Sequence, residues 1–442
     1  MAQNNMSPSD HSNEVIAAMV DGTSSSLPVN DFSFITEFFE EMGATLSPEN
    51  KERLLSMDIS GLTEEQQVVY RNVIEWLSNE VQGRNARRIK GFAGTGKTVL
   101  ISFLMKAFDS IGLPVAINTF TWKAALALKA KGVTRAASIH SLFYDVGGTN
   151  SKGEPFFKKV LPEDIRRNYS LIIIDEASMV NSEMREDVES SGVPVLYVGD
   201  AGQLPAISKD DSDKTFMKNA EWGLTTVLRQ ALDSPIIKLS MDIREGKRIP
   251  YKNFGKGIAK IYEDELSDRS LLATDIIICG KNKTRKALNT KVRTLLGMNV
   301  KRMPAKGEPV IGMRNVLSKG LYNGQIWYAV EDYSQHPLSI SEQITMVLEN
   351  EDGSETRICQ CIFPESEIYK TFKDRPDVVN GIIKEKDLYE VDFGYAITCH
   401  KSQGSQWDKV IVFEEYLGDR EFHKQWLYTA VTRSAQKLII VS

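Results

Sequence analysis

Residues 91–98, GFAGTGKT, constrain the fold more than any other stretch of this chain. The spacing Gly91-x-x-x-x-Gly96-Lys97-Thr98 is that of a P-loop, whose glycines let backbone N–H groups crowd around phosphate at the start of a helix. Such a loop needs a strand running in and a helix running out. The flanks supply both: RRIKG before it reads as a strand, and KTVLISFLMKAFDSIG after it as a helix ending near Gly112. In that motif Lys97 reaches the β- and γ-phosphates and Thr98 ligates Mg²⁺, so ATP or GTP is the expected ligand.

Around the loop, short apolar runs bounded by turn signals read as buried parallel strands: PVAINTF, LIIIDEA and VPVLYVGD. A second set follows with DIIICG (275–280), the helical KTRKALNTKVRTLLG, KVIVFEE (409–415) and KLIIVS (437–442). The alternation predicts an α/β fold of two doubly wound domains in series. Two stretches interrupt it. Residues 142–165 place Gly-rich turn signals between short aromatic segments, as a small hairpin would. Residues 305–392 hold strands separated by turns (GEPVIGMRNV, NGQIWYAVEDY, QITMVLEN, TRICQCIF) and predict a small inserted β-barrel. Ahead of the loop, LTEEQQVVYRNVIEWLSNEV (62–81) predicts a helix with Thr63 as N-cap and Gln66 closing a capping box.

Charge is uneven. The chain of 442 residues has a net charge of −5, but residues 1–60 carry ten Asp/Glu against two Lys/Arg, which leaves +3 for the rest. A slightly basic body behind an acidic extension is compatible with a nucleic-acid groove without demanding one. Residues 1–30 read as disordered, and Phe34, Phe38 and Phe39 fit one face of a short amphipathic helix that could dock on the body or on a protein partner. Every motif lies beyond residue 60, so the body is expected to keep its activity without this extension. Cys279, Cys359, Cys361 and Cys399 form no C-x-x-C pair, and three lie in strand-like runs, which suits reduced, buried thiols in a cytosolic protein. No membrane-length apolar run and no secretory leader is visible, so the expected place is the cytoplasm (of a host, for a phage-encoded chain) and no membrane partner is expected.

Further motifs carry chemistry. In IIIDEAS (172–178), Asp175 and Glu176 follow an apolar strand, where Asp175 would hold Mg²⁺ through water and Glu176 would deprotonate the attacking water. GDAGQLPAI (199–207) offers Gln203 as a γ-phosphate sensor; alone, a polar turn broken by Pro205 explains it better. YAITCHKSQGSQWDKVIV (395–412) gathers Thr398, His400, Lys401, Ser402 and Gln403 ahead of Gly404, either a solvated turn or a set of donors for a phosphate backbone. LYTAVTRSAQKLIIV (427–441) places Arg433 before the last strand, where it could reach a nucleotide bound to the other domain.

Taken in order across residues 62–441, these motifs resemble superfamily 1B helicases, the RecD-like and phage Dda-like group. Thr121-Trp122-Lys123-Ala124-Ala125, His140 in ASIHSLF, DEASMV, GDAGQLP, Arg229 in LTTVLRQ, TCHKSQGS (T-x-H-K-x-Q-G-S) and LYTAVTR each match a motif of that group. Phe120 and Trp122 depart from it, standing where Pro and Gly are usual. The resemblance implies two tandem RecA-like domains, 61–228 and 229–442, closing on ATP and Mg²⁺, with a pin insert about 142–165 and an SH3-like insert about 305–392. It implies nucleotide contacts from Gln66 (or Gln67, as an adenine reader), Gly91, Phe92, Ala93, Gly94, Thr95, Gly96, Lys97, Thr98, Gln403 and Gly404. Lys97, Glu176, Gln203, Arg229 and Arg433 would act on the phosphates. Thr121, Trp122, Lys123, His140, Thr398, His400, Lys401 and Ser402 would grip single-stranded DNA; Trp122 is equally open as base stacker or core residue. Phe156 and Phe157 are candidates for the wedge that splits a duplex, with Phe143 and Tyr144 as alternatives. The implied activity is ATP-driven 5′-to-3′ travel on single strands and unwinding at single–double-strand junctions, in replication, recombination or repair. A single-strand-binding or replisome protein could be met through the extension. The alternatives are an RNA-directed helicase of the superfamily and a motor subunit of a larger recombination complex.

Overall fold

The computed structural model describes residues 46–442 apart from 79–85, 150–154, 209, 229, 230, 232, 315, 317–320, 337–343, 352 and 364–388. Residues 1–30 and the helix expected around Phe34, Phe38 and Phe39 lie outside the described residues.

Two helices, α1 (Pro48–Leu55) and α2 (Glu64–Ser78), precede the first sheet. Ser47 caps α1 by accepting from the Asn50 N–H, with Pro48 in its first turn. The capping box of α2 is complete: the Thr63 N–H donates to Gln66 Oε1 and the Gln66 N–H to Thr63 Oγ1. Val69, Tyr70, Val73, Ile74, Trp76 and Leu77 give α2 a buried face at helical spacing.

The first sheet comprises β1 (Ala86–Gly91), β2 (Val115–Thr119), β3 (Ala137–Ser138), β6 (Leu171–Asp175), β7 (Val195–Gly199) and β8 (Trp222–Leu224), in the order β3-β2-β6-β7-β1-β8. All its pairings are parallel. Helices α3 (Lys97–Ser110), α4 (Trp122–Ala130) and α5 (Ile139–Phe143) follow β1, β2 and β3. Between β3 and β6, β4 (Tyr144–Thr149) and β5 (Pro155–Lys159) form a separate antiparallel hairpin.

The second sheet has the order β17-β11-β18-β19-β10-β9, from β9 (Lys252–Gly255), β10 (Ile258–Ile261), β11 (Ile276–Cys279), β17 (Ala396–Thr398), β18 (Trp407–Phe413) and β19 (Ser434–Val441). It is parallel except for its edge pair β9–β10. Helices α6 (Pro235–Arg244), α7 (Asn282–Leu295), α8 (Cys399–Ser402) and α9 (Arg420–Val431) accompany it. Inserted between β11 and β17 is a closed barrel of β12 (Pro309–Gly312), β13 (Ile326–Ala329), β14 (Ile344–Glu349), β15 (Thr356–Ile362) and β16 (Tyr389–Phe393). The four cysteines are buried, on β11, β15 and the start of α8. Among the described residues no helix is long and apolar enough to cross a membrane.

The expected boundary at residue 60 needs correcting. Leu46, Leu54, Ile59 and Leu62 are buried in the same cluster as α2 and the first sheet, and the Tyr70 hydroxyl donates to the Leu54 carbonyl at 2.9 Å. Residues 46–60 are therefore part of the body, because Leu46, Leu54 and Ile59, with Leu55 and Met57 packed beside them, dock it. A chain beginning at Gly61 loses Leu46, Leu54 and Ile59 from the core, each worth about 1.5–3 kcal/mol when fully buried. It is expected to melt well below a chain beginning at Ala44, and equal melting temperatures in a thermal scan would contradict this packing.

Candidate nucleotide site and nucleic-acid groove

In a parallel sheet the carboxyl ends of the strands lie on one edge, and ligands bind there. The P-loop leaves the end of β1, Asp175 closes β6, Asp200 follows β7, Thr121 follows β2 and His140 follows β3. The chemistry spread over 110 residues of sequence is thereby collected along one rim.

The loop itself turns through two left-handed glycines, Gly94 (φ 80°) and Gly96 (φ 79°). A Cβ at Gly96 would come within 2.4 Å of Gln66 Nε2, so the position demands glycine twice over. Lys97 Nζ folds back on the loop, donating to the Gly91 carbonyl at 2.7 Å and the Phe92 carbonyl at 3.1 Å. The Gln66 amide is committed on both ends: Nε2 donates to the Thr95 and Gly96 carbonyls and Oε1 accepts the Thr63 N–H. Gln66 thus braces the P-loop, and an adenine edge would have to displace those bonds; Gln67 instead donates to the Leu62 carbonyl.

Beside the loop lies a surplus of buried negative charge. Burial, and secondarily Glu176, raises the Asp175 carboxyl above its usual range, with Lys97 pulling it down. Asp200 is raised by the same burial, opposed by Lys97 and by hydrogen bonds from Tyr428 and Gly202. Glu176 sits in the left-handed region (φ 53°), one of two non-glycine residues there among those described. A non-glycine residue so held costs of order 1 kcal/mol or more and points to a fixed functional geometry. Its Oε2 is buried without a partner, as are Ser178 Oγ and Gln203 Oε1. Oxygen-rich, under-compensated surroundings suit a hard divalent cation. No group of three His, Cys, Asp or Glu among the described residues could hold a metal, so phosphate oxygens and water would complete its shell.

The second sheet reaches this rim through α9. Tyr428 Oη accepts the Ala93 N–H at 2.9 Å and donates to Asp200 Oδ2 at 2.7 Å. The Leu204 N–H donates to Thr429 Oγ1, and Gln403 Nε2 donates to the Leu204 carbonyl. The Arg244 guanidinium lies 3.8 Å from the centre of the Phe92 ring. Arg433 differs from its expected orientation. It is buried and spends its donors at home, on the Thr429 and Ser405 carbonyls and Thr432 Oγ1. The Thr429 carbonyl lies within a turn of it, at the end of α9, where a cation is favoured, whereas Ser405 comes from the segment ahead of β18. Arg229 lies outside the described residues.

A groove of about 1060 Å³ opens between the two sheets and the barrel. Thr121, Trp122, Lys123 and His140 line it from the first sheet, and Thr398, His400, Lys401, Gln403 and Gly404 from the second. Thr121 caps α4 by accepting the Ala124 N–H. Trp122 lines the groove and also packs on the first core. Lys123 Nζ lies 3.3 Å from Glu351 of the barrel and 4.3 Å from the centre of the Trp407 ring. Lys401 Nζ donates to the Gly312 carbonyl and to Asn323 Oδ1 of the barrel. Burial, with Arg285 second, pushes the Lys401 amine down to about 8; burial also lowers His140 and His400.

Two sequence expectations are revised here, at Ser402 and Phe143. Ser402 is fully buried and donates to the Cys399 carbonyl, away from the groove, because it is the inward residue of a four-residue helix. Gln403 and Gly404, expected at the nucleotide, line the groove; a Cβ at Gly404 would lie 2.9 Å from Thr121 Oγ1. Phe143 is a core residue. Phe156 and Phe157 lie on β5, and their side chains, with that of Tyr144, fall outside the described set. Sequence reasoning missed Asp200 and Tyr428, although both stand inside the quoted motifs. The available signal was a tyrosine in an apolar helical run, WLYTAV, since a buried hydroxyl needs a partner.

Two family models match: an AAA domain over residues 61–259 and a UvrD-like helicase C-terminal domain over 393–441. The ATP-dependent RecD2 DNA helicase of Deinococcus radiodurans is 25% identical over 402 residues, covering 85% of this chain and 48% of that protein. The ATP-dependent DNA helicase Pif1 of Campylobacter jejuni is 25% identical over 413 residues, covering 78% and 86%. Among solved structures, Bacteroides Pif1 bound to ssDNA aligns at 20% identity over 86% of this chain and 92% of that one, with a TM-score of 0.49. The chain thus spans about half the length of its RecD2 relative. Both matched models and these relatives agree with the resemblance to superfamily 1B helicases that the order of its motifs carries.

Proposed function

We propose that this protein is an ATP-driven motor that moves along single-stranded DNA, 5′ to 3′, and unwinds duplex DNA at junctions. One observation carries the reading: a single groove is lined by Thr121, Lys123 and His140 from one sheet and by Thr398, His400 and Lys401 from the other, while the P-loop sits where the two sheets meet. Two surfaces on separate bodies, joined at a nucleotide site, convert cleft closure into a change of spacing along a strand. The two bodies are read as RecA-like domains, 46–228 and 229–442, and the barrel as SH3-like. The names of the RecD2 and Pif1 relatives support DNA as the track.

In this reading Lys97 and the P-loop amides hold the phosphates of ATP, with Thr98 and Asp175 placed for Mg²⁺. That ion would draw charge from the transferred phosphoryl group. Glu176 takes a proton from the attacking water, and Gln203, Arg229 and Arg433 close on the phosphates. For Arg433 this requires exchanging its carbonyl partners for phosphate oxygens. The 144–159 hairpin, carrying Phe156 and Phe157, is the proposed wedge. ATPase assays with poly(dT) and with poly(U) test the track: strong stimulation by poly(dT) alone supports DNA, equal stimulation supports an RNA-competent motor, and none removes the reading.

Lys401 gives the groove a pH dependence. With its amine near 8, it is charged at pH 7 and largely neutral at pH 9. Single-strand affinity is therefore expected to fall a few-fold between those pH values, and Lys401→Arg, always charged, should flatten the fall. Parallel profiles for wild type and variant in fluorescence anisotropy would remove Lys401 from the contact.

A further inference from the structure

Among the described residues, Tyr428 is the one side chain of the second sheet's helices that holds a P-loop amide. Its hydroxyl accepts the Ala93 N–H and donates to Asp200, so both of its hydrogen-bonding roles are used on the first sheet's rim. The tyrosine is almost wholly buried, so water does not offer the hydroxyl an alternative partner. Its neighbour Thr429 holds the Leu204 N–H, Gln403 holds the Leu204 carbonyl, and the Arg433 guanidinium rests on the Thr429 carbonyl. A single short segment, 200–204, is thus tied at three points to α9 and to the groove-lining Gln403.

We infer that the Tyr428 hydroxyl competes with a nucleotide phosphate for the P-loop, and that its displacement couples phosphate binding to α9, Arg433 and the groove. The inference rests on the reading of residues 91–98 as a phosphate site. An N–H offers one strong hydrogen bond, so the Ala93 amide serves the hydroxyl or a phosphate oxygen, not both at full strength. Arrival of a triphosphate would leave Tyr428 with Asp200 alone, beside newly introduced negative charge. The contact that holds α9 against the rim is then weakened. Arg433, two residues beyond the end of α9, would be carried by that movement, which gives its inward orientation a reason. Tyr428 is on this account a positioning residue, acting through the helix whose end leads into Arg433.

Tyr428→Phe tests this, because it removes one oxygen and keeps the ring in its packing. Equilibrium binding of a fluorescent ADP analogue, without DNA, is expected to tighten about tenfold. The effect of an oligo(dT) on that affinity should shrink to within about twofold. If the hydroxyl merely shapes the loop, the same variant binds nucleotide more weakly; that result, or an unchanged affinity, overturns the inference. If the wild-type protein binds no nucleotide, the reading of the P-loop fails instead. As a check that needs no change of packing, 3-fluorotyrosine at position 428 should show a shifted ¹⁹F resonance on saturation with ADP. A resonance that ignores ADP while the analogue binds would also overturn the inference.

Discussion

Glu176→Gln is expected to lower ATP turnover by roughly 10²–10⁴-fold, the usual contribution of a positioned general base, with nucleotide affinity held within about threefold. The residue's strained φ and its buried, unpartnered Oε2 aim a carboxylate at the rim without using it to hold anything. The amide keeps the shape and loses the basicity. Lys97→Ala should fail differently, losing affinity as well as turnover, since Lys97 Nζ is the cation that now sits on the loop's own carbonyls and would move to the phosphates. Isothermal titration with a slowly hydrolysed ATP analogue separates the two. Equal loss of binding in both variants would contradict the assignment of Glu176 as base.

Arg433→Ala is expected to lower kcat by about 10³-fold or more with little change in KM, as loss of an arginine finger does. The orientation of Arg433 adds a second expectation. Because the guanidinium also satisfies the Thr429 and Ser405 carbonyls, the variant should lose some thermal stability. Steady-state kinetics beside a melting curve distinguishes the roles. A lowered melting temperature with normal kcat would make Arg433 a cap of α9 and nothing more.

What the sequence disclosed follows from how locally each feature is encoded. Buried parallel strands are apolar without interruption, so LIIID and VLYVG announced β6 and β7. The two-residue β3, the WGL of β8 and the edge pair β9–β10 are too short or too mixed to stand out. Four barrel strands were visible between their turns, whereas β16 closes the barrel through parallel pairing with β15 and antiparallel pairing with β12, contacts no local pattern announces. The P-loop is local chemistry and was fully legible. The Tyr428–Asp200–Ala93 contact joins residues more than 200 positions apart, and Lys401 meets Asn323 across 78 residues. Such partners are set by the fold, and the same holds for Leu54, whose burial drew residues 46–60 into the body.

The central claim is that ATP turnover at the P-loop drives directed movement of a strand through the groove. Unwinding of a short duplex bearing either a 5′ or a 3′ single-stranded tail, with ATP and Mg²⁺, tests it most directly. The account predicts strand separation of the 5′-tailed substrate, little of the 3′-tailed one, and none of either by Glu176→Gln. Preferred unwinding of the 3′-tailed substrate would contradict the polarity, and DNA-stimulated ATPase with neither substrate unwound would contradict the helicase reading itself.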